Sequence, residues 1–140
     1  MVAGNKKLTI YQIAHELALQ VHKLSLGLPK FEMYEEGSQV RRSSKSVSSN
    51  IVEGFSLRKY KAEFIRYLFR SYASSQETIE HLELLNETSS LQDSKTCKEL
   101  IQKYTDLNRM IFTFIKSVEE LHDTQMICSE EKEIYTTDDK

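Results

Sequence analysis

Proline occurs once in this 140-residue chain and glycine four times, so the backbone has few places to turn. Many short strands joined by tight turns are thereby disfavoured, and a few long helices are favoured. Tryptophan is absent, and the two cysteines stand in no paired motif. Cys97 falls on a helical seam and Cys128 lies near the C-terminus, so no disulfide is expected. No apolar run approaches the length of a membrane span, and the N-terminus lacks the apolar core of a secretory signal. A soluble, cytoplasmic protein without membrane association is the expectation.

The length suits one domain able to bury its own core. A net charge of −2 gives no warrant for a polyanion partner, but the charge is unevenly spread. Residues 41–70 carry eight basic side chains against Glu53 and Glu63, a local balance of +6. Residues 119–140 carry eight acids against Lys132 and Lys140, a balance of −6. That split predicts a basic working surface and an acidic tail.

Apolar residues recur at helical spacing in four stretches. The first begins with Thr9 as the expected cap and runs through Ile10, Ile13, Ala14, Leu17, Val21 and Leu24, ending before Pro29. Leu19 and Leu26 fall on its far side and suit a second contact surface. A connection over 30–37 follows, with Ser38 the expected cap of the second helix, which closes at Gly54. The third starts near Tyr60, with a seam of Phe64, Leu68, Tyr72, Ser75, Ile79 and Leu82 widened by Ile65 and Phe69, and ends by Thr88. The fourth has the strongest period, from Cys97 through Leu100, Tyr104, Leu107, Ile111 and Phe114 to Leu121. Gln102, Asp106, Arg109, Thr113 and Lys116 occupy its other face. The fold class predicted is all-α, an antiparallel up-down four-helix bundle over residues 1–124, followed by a mostly disordered acidic tail over 125–140.

The second helix is the most distinctive. Val40, Ser44, Val47 and Ile51 form a thin apolar seam, flanked by a polar row of Gln39, Ser43, Ser46, Asn50 and Glu53. Pro29, Glu32, Gln39, Arg41, Arg42, Ser46, Asn50, Ile51, Glu53 and Gly54 stand at the intervals of a known pattern, with Asn-Ile-x-Glu-Gly preceded by Gln-x-Arg-Arg as its specific part. In this the chain resembles the four-helix-bundle proteins encoded in intervening sequences of bacterial 23S ribosomal RNA genes, also called S23 ribosomal proteins. The resemblance runs from about Ala14 to about Leu121. Two departures stand out: Glu36 occupies a usually hydrophobic position, and Thr78 stands where a companion of Glu80 is usually a glutamate. The family is similar to the pentameric bundle protein that accompanies the reverse transcriptase of diversity-generating retroelements. The resemblance therefore implies a ring-like homopentamer, with Leu19, Leu26 and Leu84 compatible with its contacts.

Catalysis finds no support in these residues. Glu119 and His122 make one Glu-x-x-His spacing without a second copy, so no metal site or cofactor is expected. His15, His22, His81 and His122 are scattered and read as surface histidines, and no nucleophile elbow or phosphate loop is present. A non-enzyme is expected. Gln39, Arg42, Asn50, Glu53 and Glu80 are candidates for a polar network fixing helix register. Arg41, Lys45, Arg58, Lys59, Lys61, Arg66 and Arg70 are candidate phosphate contacts, reading RNA or DNA by shape and charge. An adaptor docking an acidic protein through the same face is the alternative.

Overall fold

The structure, a computed structural model, describes residues 4–124. The expected tail over 125–140, and Cys128 within it, lie outside the described residues. A short 3-10 turn, Gly4–Lys7, precedes α1 (Thr9–Ser25), the single-turn α2 (Lys30–Met33), α3 (Glu36–Ser56), α4 (Lys61–Glu87) and α5 (Ser94–Glu120). No strand occurs among the described residues, and no helix there is long and apolar enough to cross a membrane.

The four long helices form a bundle in which α3 packs on α4, α4 on α5, and α1 on both α3 and α5. Each seam expected from the 3.6-residue period turns inward. Val47, Ile51, Phe64, Leu68, Tyr104, Leu107, Ile111 and Phe114 are all fully buried. Phe64 is the hinge of an aromatic line, meeting Phe55 edge-on at 6.5 Å between centroids and Phe114 at 6.1 Å. Phe69 does not widen the α4 seam as expected, because it lies 43% exposed on the outer side.

Helix ends differ from the sequence expectation in instructive ways. Leu8, not Thr9, occupies the N-cap of α1, and no side chain caps it. Leu8 is fully buried there, so apolar burial outweighs the capping preference of a hydroxyl one residue later. α3 begins two residues before Ser38, because Glu32 supplies the cap from a distance: its Oε1 accepts from the Glu36 N–H at 3.3 Å. The other Glu32 oxygen accepts from Ser90 at 2.8 Å, tying α2 to the α4–α5 loop. α3 also runs past Gly54 to Ser56, so that glycine is a helix-interior residue rather than a stop. At α5, Asp93 caps the start by accepting from the Thr96 N–H at 3.0 Å. Lys61 closes its far end, donating to the carbonyls of Glu119 and Leu121.

The α3–α4 interface adds a row of hydroxyl contacts to its apolar packing. Thr78 donates to Ser43 at 2.8 Å, Ser46 meets Ser74 at 2.9 Å, and Ser71 donates to the Val47 carbonyl at 2.7 Å. These contacts climb α3 while descending α4. Small side chains let the two backbones approach, and each buried hydroxyl named here finds a partner.

Candidate nucleic-acid interface

The seven basic residues expected on one working surface divide into two groups. Arg41 is held inside the fold, donating to Ser25 Oγ at 3.0 Å and to the Met33 carbonyl at 2.9 Å. It locks the α1–α3 connection and is not free for phosphate. Arg58 is half-buried, donates to the Phe55 carbonyl at 3.0 Å and lies 4.1 Å from the Phe55 ring centroid. Lys61 is committed to the end of α5. All three are corrections to the sequence reading, in which their charge placed them on the working surface; backbone carbonyls hold them instead.

Lys45, Lys59, Arg66 and Arg70 are exposed, as is Arg42 one turn before Lys45. Arg66 pairs loosely with Glu63 at 3.7 Å, an exposed contact of small energetic weight. Arg70 lies 5.1 Å from the centroid of Tyr67, and Lys59 lies 6.0 Å from that of the exposed Tyr60. Lys45 and Arg70 flank the Val47–Ser71 contact between α3 and α4, so the cations of the two helices stand at similar heights on the bundle.

The expected polar network is corrected as well. Gln39, Arg42, Glu53 and Glu80 are exposed, so four of its five members do not bridge helices in the interior. Asn50 alone is half-buried, donating to the Ser46 carbonyl at 2.8 Å and to Ser46 Oγ at 2.9 Å. The interior network is instead the hydroxyl set of Ser43, Ser46, Ser71, Ser74 and Thr78. Thr78, where the pattern departs from a glutamate, is buried and fits because a carboxylate there would face Ser43 without a cation. The second departure also has a partner: Glu36 Oε2 meets His81 Nδ1 at 2.6 Å, with both side chains largely buried. His81 is therefore not the surface histidine expected from sequence.

Two further features escaped sequence reasoning. Glu32 was legible as part of the family pattern, but its bonds to Ser90 and the α3 N-terminus were not. Between α4 and α5, Tyr72 and Phe112 converge to 6.1 Å between centroids beside Asn108 and Arg109. A period read along α5 alone puts Arg109 and Lys116 on one outer face, without aromatic companions from α4.

Titration in the core reflects burial. Burial pushes the Tyr104 phenol well above its ordinary value, with the neighbouring Ser44 hydroxyl acting weakly the other way. That serine is already committed to the Arg41 carbonyl at 3.0 Å, and the Tyr104 hydroxyl has no hydrogen-bond partner. Burial likewise raises the Cys97 thiol, which donates to the Leu82 carbonyl, so it is unsuited to nucleophilic work. Glu119 is exposed at the end of α5 and His122 beyond it.

Residues 6–113 match the family model described as 23S rRNA-intervening sequence protein. The fold is also similar to the crystal structure of a protein of unknown function from the S23 ribosomal protein family of Bacteroides thetaiotaomicron. The TM-score is 0.66 at 25% identity, over 77% of this chain and 99% of that one. Among curated proteins none matches the chain.

Proposed function

Because the chain belongs to the 23S rRNA-intervening sequence protein family, we propose that it is a non-enzymatic, oligomeric scaffold that binds RNA or DNA through phosphates. The observation that carries this reading is the set of exposed cations Lys45, Lys59, Arg66 and Arg70, left uncommitted by the fold while Arg41, Arg58 and Lys61 are consumed by it. Such contacts release condensed counterions and carry little sequence preference. The contacts of α3 with α4 support an antiparallel, up-down course for the bundle in this reading. A homopentamer is the assembly proposed, and Leu19 on α1 and Leu26 just past its end, 55% and 57% exposed, are apolar surface that an assembly would cover. The proposed setting is the cytoplasm.

Light-scattering mass across a salt series, with and without a structured RNA, tests both parts. The expected result is a mass near five chains that takes up RNA at low salt and releases it as salt rises. A pentamer indifferent to nucleic acid would move the assignment to an adaptor for an acidic protein. A monomer would remove the oligomeric part.

A further inference from the structure

The α4–α5 surface contains a cleft of about 420 Å³ that the phosphate-binding reading does not use. Its size falls in the range of small-ligand sites, about 300–1,000 Å³. Asn108 lines it, and that residue is only 7% exposed. The Oδ1 of its carboxamide is buried without a hydrogen-bond partner. Buried amide oxygens are nearly always paired, so an orphaned one beside a cleft is a place where a ligand donor is missing.

The walls are aromatic. Tyr72 and Phe112 meet at 6.1 Å, and Gln76 steadies the Tyr72 hydroxyl by donating to it at 3.2 Å. Phe112 keeps 44% of its surface open to solvent. Two cations stand close by. Lys116 Nζ lies 5.4 Å from the Phe112 centroid, and the exposed Arg109 guanidinium stands at the cleft, oriented by Asp106 at 2.8 Å.

We propose that this cleft holds one unpaired nucleobase, stacked on Phe112 and read at its edge by Asn108, with Lys116 and Arg109 attracting the flanking phosphates. An exposed aromatic ring, a carboxamide edge and cations together match the three parts of a nucleotide. The orphaned oxygen is an acceptor, and the adenine edge supplies a donor in its exocyclic amine where uracil presents another acceptor. Adenine is therefore preferred over uracil. The proposal rests on the nucleic-acid reading and adds base recognition to it. Phosphate contacts alone would not distinguish one base from another.

The test is fluorescence anisotropy of end-labelled oligo(A) and oligo(U) RNA on the full chain and its variants, each across a salt series. The full chain is expected to bind oligo(A) more tightly than oligo(U). Phe112→Ala, its folding checked by thermal unfolding, should weaken oligo(A) binding about tenfold with the salt slope unchanged. Phe112→Tyr should retain it. Asn108→Ser should erase the preference for oligo(A), and thermal unfolding of that variant reports whether it still folds. Equal affinity for the two strands, untouched by Phe112→Ala, would overturn the base subsite and leave phosphate binding standing. No binding of either strand by the full chain would overturn the nucleic-acid reading itself, and this proposal with it.

Discussion

Gly54 lies so close to α4 that a Cβ added there would stand 3.0 Å from the Cβ of Tyr67 and 3.3 Å from the Phe64 carbonyl oxygen. Two effects oppose each other at this position. Alanine would favour the helix by up to about 1 kcal/mol, whereas overpacking costs about 1–3 kcal/mol. Neither opposing atom is the free end of a side chain, so the helices themselves must separate and the clash wins. Gly54→Ala should destabilise the protein by about 1–2 kcal/mol, read by denaturant unfolding. A stabilised variant would show that α3 and α4 can part at little cost.

The basic residues should separate by what they hold. Arg41→Ala removes the donors to Ser25 and the Met33 carbonyl and should cost about 1–3 kcal/mol. Arg70→Ala, at an exposed site, should change stability by less than about 0.5 kcal/mol. Nucleic-acid affinity should move in the opposite sense. Reversing both Arg66 and Arg70 to glutamate is expected to weaken binding and flatten its dependence on salt, with thermal unfolding little altered. Unchanged affinity would remove this surface from the interface.

Asp93 should make the start of α5 sensitive to acid. Its carboxyl is held below the usual value first by the Thr96 hydroxyl and then by the Thr96 N–H. A group with a depressed folded pKa contributes its stability above its unfolded value, near 3.9, and loses it as pH falls through the lower folded value. The melting-temperature gap between the native chain and Asp93→Ala should therefore be constant near neutrality and shrink below about pH 4. A gap that persisted at still lower pH would mean that the carboxylate charge plays no part in the cap.

Tyr104→Phe should be tolerated or stabilising. The hydroxyl is fully buried without a partner, so its removal relieves desolvation and leaves no acceptor orphaned. A gain of up to about 1 kcal/mol is expected in thermal unfolding. A clear loss would reveal a hydrogen bond from this hydroxyl that outweighs its burial.

Much of this architecture was legible before any coordinates. The seams through Phe64, Leu68, Leu107 and Ile111 are properties of a single helix, and a 3.6-residue period reports them directly. The hydroxyls of α3 leave room for a close neighbour, and Ser43, Ser46 and Asn50 form a row along that side. Gln39 and Glu53 extend that row in sequence but curve out to solvent at its two ends. The caps were missed where the stabilising group is remote. Ser38 has the right chemistry for a cap, yet Glu32 reaches the α3 N-terminus from the preceding turn.

Sequence by itself determined that this chain makes four long amphipathic helices, that its family pattern sits on the second of them, and that positive charge gathers over 41–70. The tertiary structure decided which of those charges are available. Arg41, Arg58 and Lys61 look as free as Arg66 and Arg70 in the sequence, but backbone carbonyls bind the first three and not the last two. It also set Tyr72 against Phe112 and left the Asn108 oxygen beside their cleft. Those relations join residues some forty positions apart, and a periodicity read along one helix carries no information about the register of its neighbour.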